Sequence, residues 1–394
     1  MSVCHLDVRA TRLTPDDCRV TTIRRRRKTV ATIVGVIIML GLGEAAVRIR
    51  AWYRFGTLQV VADIYTPNAR LGRSLRPGAV INGSRRQVSI NRWGFRGPEV
   101  PRAKPPNTVR IAAVGDSATF GMEAGSDDAV WVARMTARLQ ANASKRNYDA
   151  INGGVPGYTL ANSTIHLAEE ILPFGPDFVV IYQVGTDIAA HVRRQFRSES
   201  PTKNSGGRWS RLVRENSLLF NLIRLNTTAI ASTLSPQRRH DRLDDRGVEE
   251  YRKHLANMVN IARRAGSRVI LCTCPRAFGD ERAPTSQLLL GTSALAANPA
   301  LSLAGLNNAY ERYNDAVRRV ARNMDVTLVD LAAIVPKRRA FFADSVHLND
   351  AGHRLVGETI AVAVEHRQAG LPQQAGLPVG SPHDPEHLAK ANAP

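Results

Sequence analysis

From residue 109 onward, short apolar runs rich in β-branched residues alternate with segments whose apolar positions recur at helical spacing. This is the pattern of parallel strands covered on both faces by crossover helices. Five strands are predicted: 110–115 (RIAAVG), 149–152 (DAIN), 177–184 (DFVVIYQV), 267–274 (SRVILCTC) and 326–331 (VTLVDL). Between them, Val130, Trp131, Met135 and Leu139 line one helix. Val248, Tyr251, Leu255, Met258 and Ala262 line another, which stops at Gly266. Further helices are expected around 310–320 and from about 350 to 365. The fold class that follows is α/β, a three-layer α/β/α sandwich around a five-stranded parallel sheet.

The chain ahead of this alternation follows a different rule. Residues 1–28 carry eight basic and three acidic side chains and end in the run Arg24 to Lys28. The next residues, 29–47, are apolar except for Glu44 and span roughly 28 Å as a helix, about one hydrocarbon core. The basic flank predicts a single-pass anchor with its N-terminus in the cytoplasm and everything after it periplasmic or extracellular. A cleaved signal peptide is the alternative, but the basic region is long and no clean small-residue cleavage site follows. Residues 48–108 hold YTPNARLGRSLRPG and VSINRWGFRGPEVP, a linker and small β extension expected to pack as a hairpin on the sheet edge, with substrate contact by Trp93 or Arg96 as the alternative. The main domain is expected over 109–367. Within it, insertions at 191–246 and 277–303 read as loops near the site or as packing excursions. The Pro-, Ala- and Gln-rich tail, 368–394, is expected to be disordered.

Composition narrows the function less than position does. With 54 Lys+Arg against 34 Asp+Glu, the chain is formally +20, and about +15 remains beyond the N-terminal segment. The surplus is scattered, with no zinc spacing and no basic strand interleaved with aromatics, so no nucleic-acid partner is expected. Anionic headgroups or an acidic polysaccharide are more economical partners. Cys4 and Cys18 precede the apolar segment. Cys272 and Cys274 fall within an apolar strand with no further ligands nearby, which predicts buried thiols; no metal and no cofactor are expected.

Chemistry gathers just after the strands, at the carboxyl edge where open α/β sheets bind ligands. The first strand ends in Gly115-Asp116-Ser117, which puts a serine at a strand-to-helix turn. The second ends in the glycine-rich 152–158 (NGGVPGY), whose amides can approach an oxyanion. After the fifth comes 344–347 (DSVH), where Asp344 can fix the tautomer of His347. Together these supply a nucleophile, a base and an orienting acid.

In these motifs and their order, across roughly 110–366, the chain resembles the SGNH/GDSL hydrolases, serine esterases and lipases on a flavodoxin-like sheet. RIAAVGDSATFG resembles the nucleophile block and implies Ser117; INGGVPGY implies Gly154 as an oxyanion donor beside the Ser117 amide; ADSVHLNDAGH implies Asp344 and His347 as orienting carboxylate and general base. The extension, with N-x-x-G-F-R-G, resembles that of membrane-anchored bacterial members. One block departs. Aligned on Asp187, Thr186 stands where the family has an asparagine donating to the oxyanion, a loss ordinarily worth about 10²- to 10³-fold in turnover. The resemblance implies a membrane-anchored, extracytoplasmic serine esterase or acyl-transfer enzyme acting on an ester substrate, with an O-acylated (acetylated) polysaccharide as the expected carbohydrate ester. The Thr186 departure keeps open a catalytically inactive, glycan-binding version of the fold.

Overall fold

The computed structural model of the chain describes residues 15–55, 64–143, 145–196, 213, 216–223, 239–279 and 284–370. The expectations for the segment before Pro15, for RSESPTKNSGGR (197–208) and for the tail beyond 370 lie outside the described residues.

Five strands form the central sheet: β5 (Thr108–Gly115), β6 (Asn147–Gly154), β7 (Phe178–Tyr182), β8 (Arg268–Cys272) and β9 (Thr327–Val329). Their order is β6-β5-β7-β8-β9, with every neighbouring pair parallel. The protein is therefore a three-layer α/β/α sandwich on a flavodoxin-like sheet. The central strand shows what cover on both faces requires: all five residues of β7, FVVIY, are apolar in character and buried. Helices α3 (Trp131–Ala141) and α10 (Asp350–Gln368) pack together on the sheet, and α4 (Leu160–His166) and α8 (Leu303–Asn323) each pack on α6 (Arg246–Arg264). The helical stripes face inward as their spacing requires; Tyr251, Leu255, Met258 and Ala262 of α6 are all buried.

Several boundaries differ from the sequence expectation. β9 has three residues rather than six, since Asp330 turns away to pair with Arg318, with Nε to Oδ2 at 2.9 Å, and the short helix α9 (Leu331–Ile334) follows. The helix expected around 310–320 starts seven residues earlier, where Ser302 accepts the Gly305 amide at 2.9 Å. The 277–303 insertion is largely a helix, α7 (Pro284–Ala297), and so is more than loop. Cys272 ends β8 and Cys274 lies beyond it, yet both are buried, and burial pushes both thiols up.

The extension forms two short antiparallel hairpins, β1 (Tyr65–Asn68) with β2 (Gly72–Leu75) and β3 (Val80–Asn82) with β4 (Gln87–Ser89). It meets the sheet at its edge strand through one antiparallel bridge from Arg96 to Asn152. Trp93 is a packing residue, its indole N–H held by the Val100 carbonyl at 2.9 Å and its ring edge-on to Phe174. Ahead of the extension, α1 (Pro15–Phe55) contains a 27-residue stretch, Arg27–Tyr53, long and apolar enough to cross a membrane, with none of its most apolar window buried in the protein.

Candidate active site

The sheet order reverses between β5 and β7, and the residues following those two strands flank the switch point. Immediately after β5, Asp116 caps the short helix α2 (Ser117–Phe120) by accepting the Ala118 amide at 3.0 Å. Its second oxygen accepts the Thr186 amide at 3.1 Å, which ties the turn after β5 to the first turn of α5 (Gly185–Gln195). This turn leaves no room for a side chain at its root. A Cβ at Gly115 would lie 2.1 Å from the Tyr182 carbonyl oxygen and 2.4 Å from Thr119 Oγ1.

Ser117 Oγ lies 2.9 Å from His347 Nε2, and His347 Nδ1 lies 2.8 Å from Asp344 Oδ2. A carboxylate only accepts, so Nδ1 carries the proton and Nε2 is left to accept from the serine hydroxyl. Asp344 is fixed in turn: its other oxygen accepts the Val346 and His347 amides, each at 2.8 Å. The loop is closed by Ala343 N–H donating to the His347 carbonyl at 2.9 Å and runs into α10, whose cap Asn349 accepts the Gly352 amide at 3.0 Å. Behind it, buried Ser345 bonds to Ser293 of α7, hydroxyl to hydroxyl at 2.7 Å. Residues 230 apart in sequence thus meet in one line from carboxylate through imidazole to hydroxyl.

The electrostatics follow from these contacts. Burial works against the imidazolium of His347, but the hydrogen bond and charge of Asp344 outweigh it, with added help from Glu123 and Asp116. The His347 pKa therefore lies above the ordinary histidine value. Burial alone would raise the Asp344 carboxyl, yet the His347 ring and the two amides hold it below the usual carboxylate range. Glu123, which no motif singles out, acts on the site from the turn after α2 and is itself held by Arg86 of the extension at 2.8 Å.

The second predicted oxyanion position is occupied differently. Gly154 N–H donates to the side-chain oxygen of Asn152 at 3.1 Å. A Cβ on Gly154 would sit 2.2 Å from the Phe120 amide nitrogen, so this glycine is required for close packing under α2. In the same turn Val155 N–H is taken by the Gly115 carbonyl and Tyr158 N–H by the Val155 carbonyl, and Pro156 has none. The one amide of 154–158 without an acceptor among the described residues is that of Gly157, at φ 85°. An Asn two residues before a glycine is an Asx-turn signal, and it was the cue in the sequence that the Gly154 amide would be engaged.

Thr186 is half-buried; its amide is spent on Asp116, and its hydroxyl has no hydrogen-bond partner among the described residues. The neighbouring Asp187 accepts the Leu160 amide at 3.0 Å and the Gln183 side-chain amide at 2.7 Å. Burial nevertheless pushes its carboxyl up to about 7. Among the described residues no group of three or more His, Cys, Asp or Glu side chains is arranged to hold a metal ion.

Residues 113–355 match the model of the GDSL-like lipase/acylhydrolase family. Among solved structures, similar chains include the lipase/acylhydrolase from Enterococcus faecalis (19% identity, TM-score 0.41, covering 68% of this chain and 100% of that one). Others are an acetylxylan esterase from Geobacillus stearothermophilus (16%, 0.40, 68% and 97%) and an alpha/beta hydrolase enzyme from the metagenome of Lake Arreo (19%, 0.41, 65% and 95%). No protein of curated function matches the sequence. The family match spans more than half of the chain, and the protein belongs to the GDSL-like lipase/acylhydrolase family of ester-hydrolysing enzymes.

Proposed function

We propose that the protein is a membrane-anchored, extracytoplasmic serine esterase that removes or transfers O-acyl groups, acetyl above all, on a carbohydrate. The observation that carries this reading is the continuous hydrogen-bonded line from Asp344 through His347 to Ser117. Ser117 Oγ attacks the ester carbonyl while His347 Nε2 takes its proton. Asp344 holds the ring and stabilises its cationic form, and the alcohol leaves with the proton that His347 returns. Water or a sugar hydroxyl then takes the acyl group from the serine by the reverse sequence.

The oxyanion is held by the Ser117 amide, in the first turn of α2, and by the Gly157 amide, the donor of its turn that is left without an acceptor. Thr186 Oγ1, likewise unpartnered, supplies the third donor. Support for the location comes from the run Arg24 to Lys28 on the N-terminal flank of the apolar stretch of α1, which favours a cytoplasmic N-terminus. The scattered positive charge of the chain suits an acidic or surface-bound glycan.

The test is labelling with a fluorophosphonate probe and turnover of aryl acetate and acetylated glycan, beside Ser117→Ala. Labelling is expected to vanish in the variant and turnover to fall by about 10⁶-fold. Activity surviving in Ser117→Ala would remove the serine mechanism. Turnover of long-chain lipid esters in preference to acetylated glycans would remove the substrate class.

A further inference from the structure

Glu44 is the one acidic residue in the apolar stretch of α1, some 22 Å along the helix from Thr29 at about 1.5 Å per residue. That distance falls short of a hydrocarbon core of about 30 Å, so in a spanning helix the carboxylate lies at the level of the outer leaflet. A carboxylate there demands partners, and the structure supplies them from far along the chain. Glu44 accepts the Ser217 hydroxyl at 2.7 Å, the Leu218 amide at 2.9 Å and the Leu219 amide at 3.0 Å. It also accepts Arg48 Nε at 2.8 Å, and Arg48 reaches across to the Asn216 carbonyl. The carboxylate thus caps the helical turns at 218–223, and Gly43 admits them closely: a Cβ there would stand 3.0 Å from Leu219 Cδ2.

The side chains of this docked segment suit lipid rather than water. Phe220, Leu222 and Ile223 are 38%, 40% and 49% exposed, and Val213 is exposed beside them. Between the segment and α1 runs a groove of about 490 Å³, lined by Leu40, Leu219, Phe220 and Ile223 around Glu44. This exposed apolar surface continues that of α1, where Ile37, Met39 and Leu42 are each more than half exposed.

We propose that residues 216–223, with Val213, insert into the outer leaflet beside α1, strapped there by Glu44, and give the enzyme a second contact with the bilayer whose acyl chains fill the groove. The proposal rests on the reading that α1 spans a membrane. It follows from depth: a segment whose amides bind Glu44 must sit as deep as Glu44 does.

The test uses the purified full-length chain with Cys4→Ser and Cys18→Ser, reconstituted in phosphatidylethanolamine and phosphatidylglycerol vesicles. Ile223→Cys is compared with Arg146→Cys, at the opposite end of the sheet. A membrane-impermeant maleimide is expected to label Arg146→Cys and leave Ile223→Cys unlabelled until the vesicles are dissolved in sodium dodecyl sulfate, where Ile223→Cys takes one equivalent more than the parent, whose buried Cys272 and Cys274 also react there. A nitroxide at 223 should be relaxed more by oxygen than by an aqueous nickel chelate, a ratio that burial inside protein does not produce. Adding Glu44→Ala should restore labelling at 223 while the chain stays in the membrane pellet at alkaline pH. Labelling of Ile223→Cys at the Arg146→Cys rate, with the chain still in the pellet, overturns the inference and leaves the anchor standing. Release of the unsubstituted chain at alkaline pH removes the anchor itself. Protection that persists in Glu44→Ala overturns the strap.

Discussion

As the proposed base, His347 works only when its ring is neutral, so its raised pKa sets the acid side of the expected pH profile. Below that pKa the ring is protonated and cannot take the Ser117 proton; kcat/KM then falls tenfold for each pH unit. Because Asp344 holds the pKa above the ordinary histidine value, the limb is expected above pH 6.5 rather than at or below it. Glu123 adds to the shift from a position outside the triad. Glu123→Gln should therefore move the limb to lower pH by a fraction of a unit and leave the plateau nearly unchanged; a pH profile of kcat/KM on an aryl acetate measures both. A limb that stays in place would mean that Glu123 does not act on the ring. Thr186 poses a second question at this scale. If its unpartnered hydroxyl donates to the oxyanion, Thr186→Val, which keeps the shape and deletes the donor, lowers kcat by about 10²-fold with little change in KM. Equal kcat in the two proteins would assign oxyanion stabilisation to the Ser117 and Gly157 amides alone.

Arg96 shows how the elements before the sheet support the site. Its side chain is 1% exposed, pairs through Nε with Asp127 at 2.8 Å and donates to the carbonyls of Phe120 and Gly121 at 3.1 and 2.6 Å. A third nitrogen reaches the Gln87 carbonyl at 3.3 Å. The guanidinium thus binds the end of α2, the turn that follows it and β4 together, and its fork shape is what makes that possible. Arg96→Ala is expected to cost about 3–5 kcal/mol, since it takes the cation from Asp127, which keeps only its bonds to Ser89, and removes a donor from each of the Phe120 and Gly121 carbonyls. Arg96→Lys should recover only part of this, as one ammonium cannot reach all of these acceptors; urea denaturation of the three proteins checks the order. Stability equal to the parent in Arg96→Ala would make the extension an appendage. The same residue marks what the sequence could and could not tell. The five sheet strands were legible because each carries a short apolar run between helical segments, and Ser117, Asp344 and His347 because each follows a strand or precedes a helix cap. The partners of Arg96 lie in three segments with no periodic pattern, and the engagement of Gly154 by Asn152 depends on a side chain folding back on its own turn. Helix α7 escaped the reading for a related reason: PTSQLLLGTSALAA has no polar face on which a helical period shows.

At the scale of the whole molecule, α1 and the catalytic domain are separate in their cores and joined at their edges. The buried apolar residues fall between Ile64 and Val364, in two clusters to which α1 contributes nothing. Among the described residues, α1 is linked to the rest by the strap at Glu44, where Gly43 also packs on Leu219, and by Ser84, whose amide and hydroxyl both donate to the Tyr53 carbonyl, at 3.1 and 2.7 Å. Ser84 lies in the turn between β3 and β4, two residues from Arg86, which holds Glu123, whose charge acts on His347. The proposed catalytic residues therefore lie a short chain of contacts from the end of the apolar helix, and a spanning α1 would set the cleft beside the membrane surface. Energetically, however, the domain owes α1 only a few part-buried or exposed hydrogen bonds, each contributing about 1 kcal/mol. A chain starting at residue 64 should then fold with its melting temperature within a few degrees of the parent, and its kcat/KM on a soluble aryl acetate should be unchanged. Binding to vesicles should fall sharply, and any advantage on esters displayed at a membrane surface should go with it, because that advantage comes from local concentration and not from the triad. Flotation with vesicles, calorimetry and the two substrate assays separate the cases. Equal rates on the soluble ester with a lost preference for the surface-displayed one would make α1 a tether, whereas a fall in both would make the Tyr53–Ser84–Arg86–Glu123 contacts part of the machinery that positions His347.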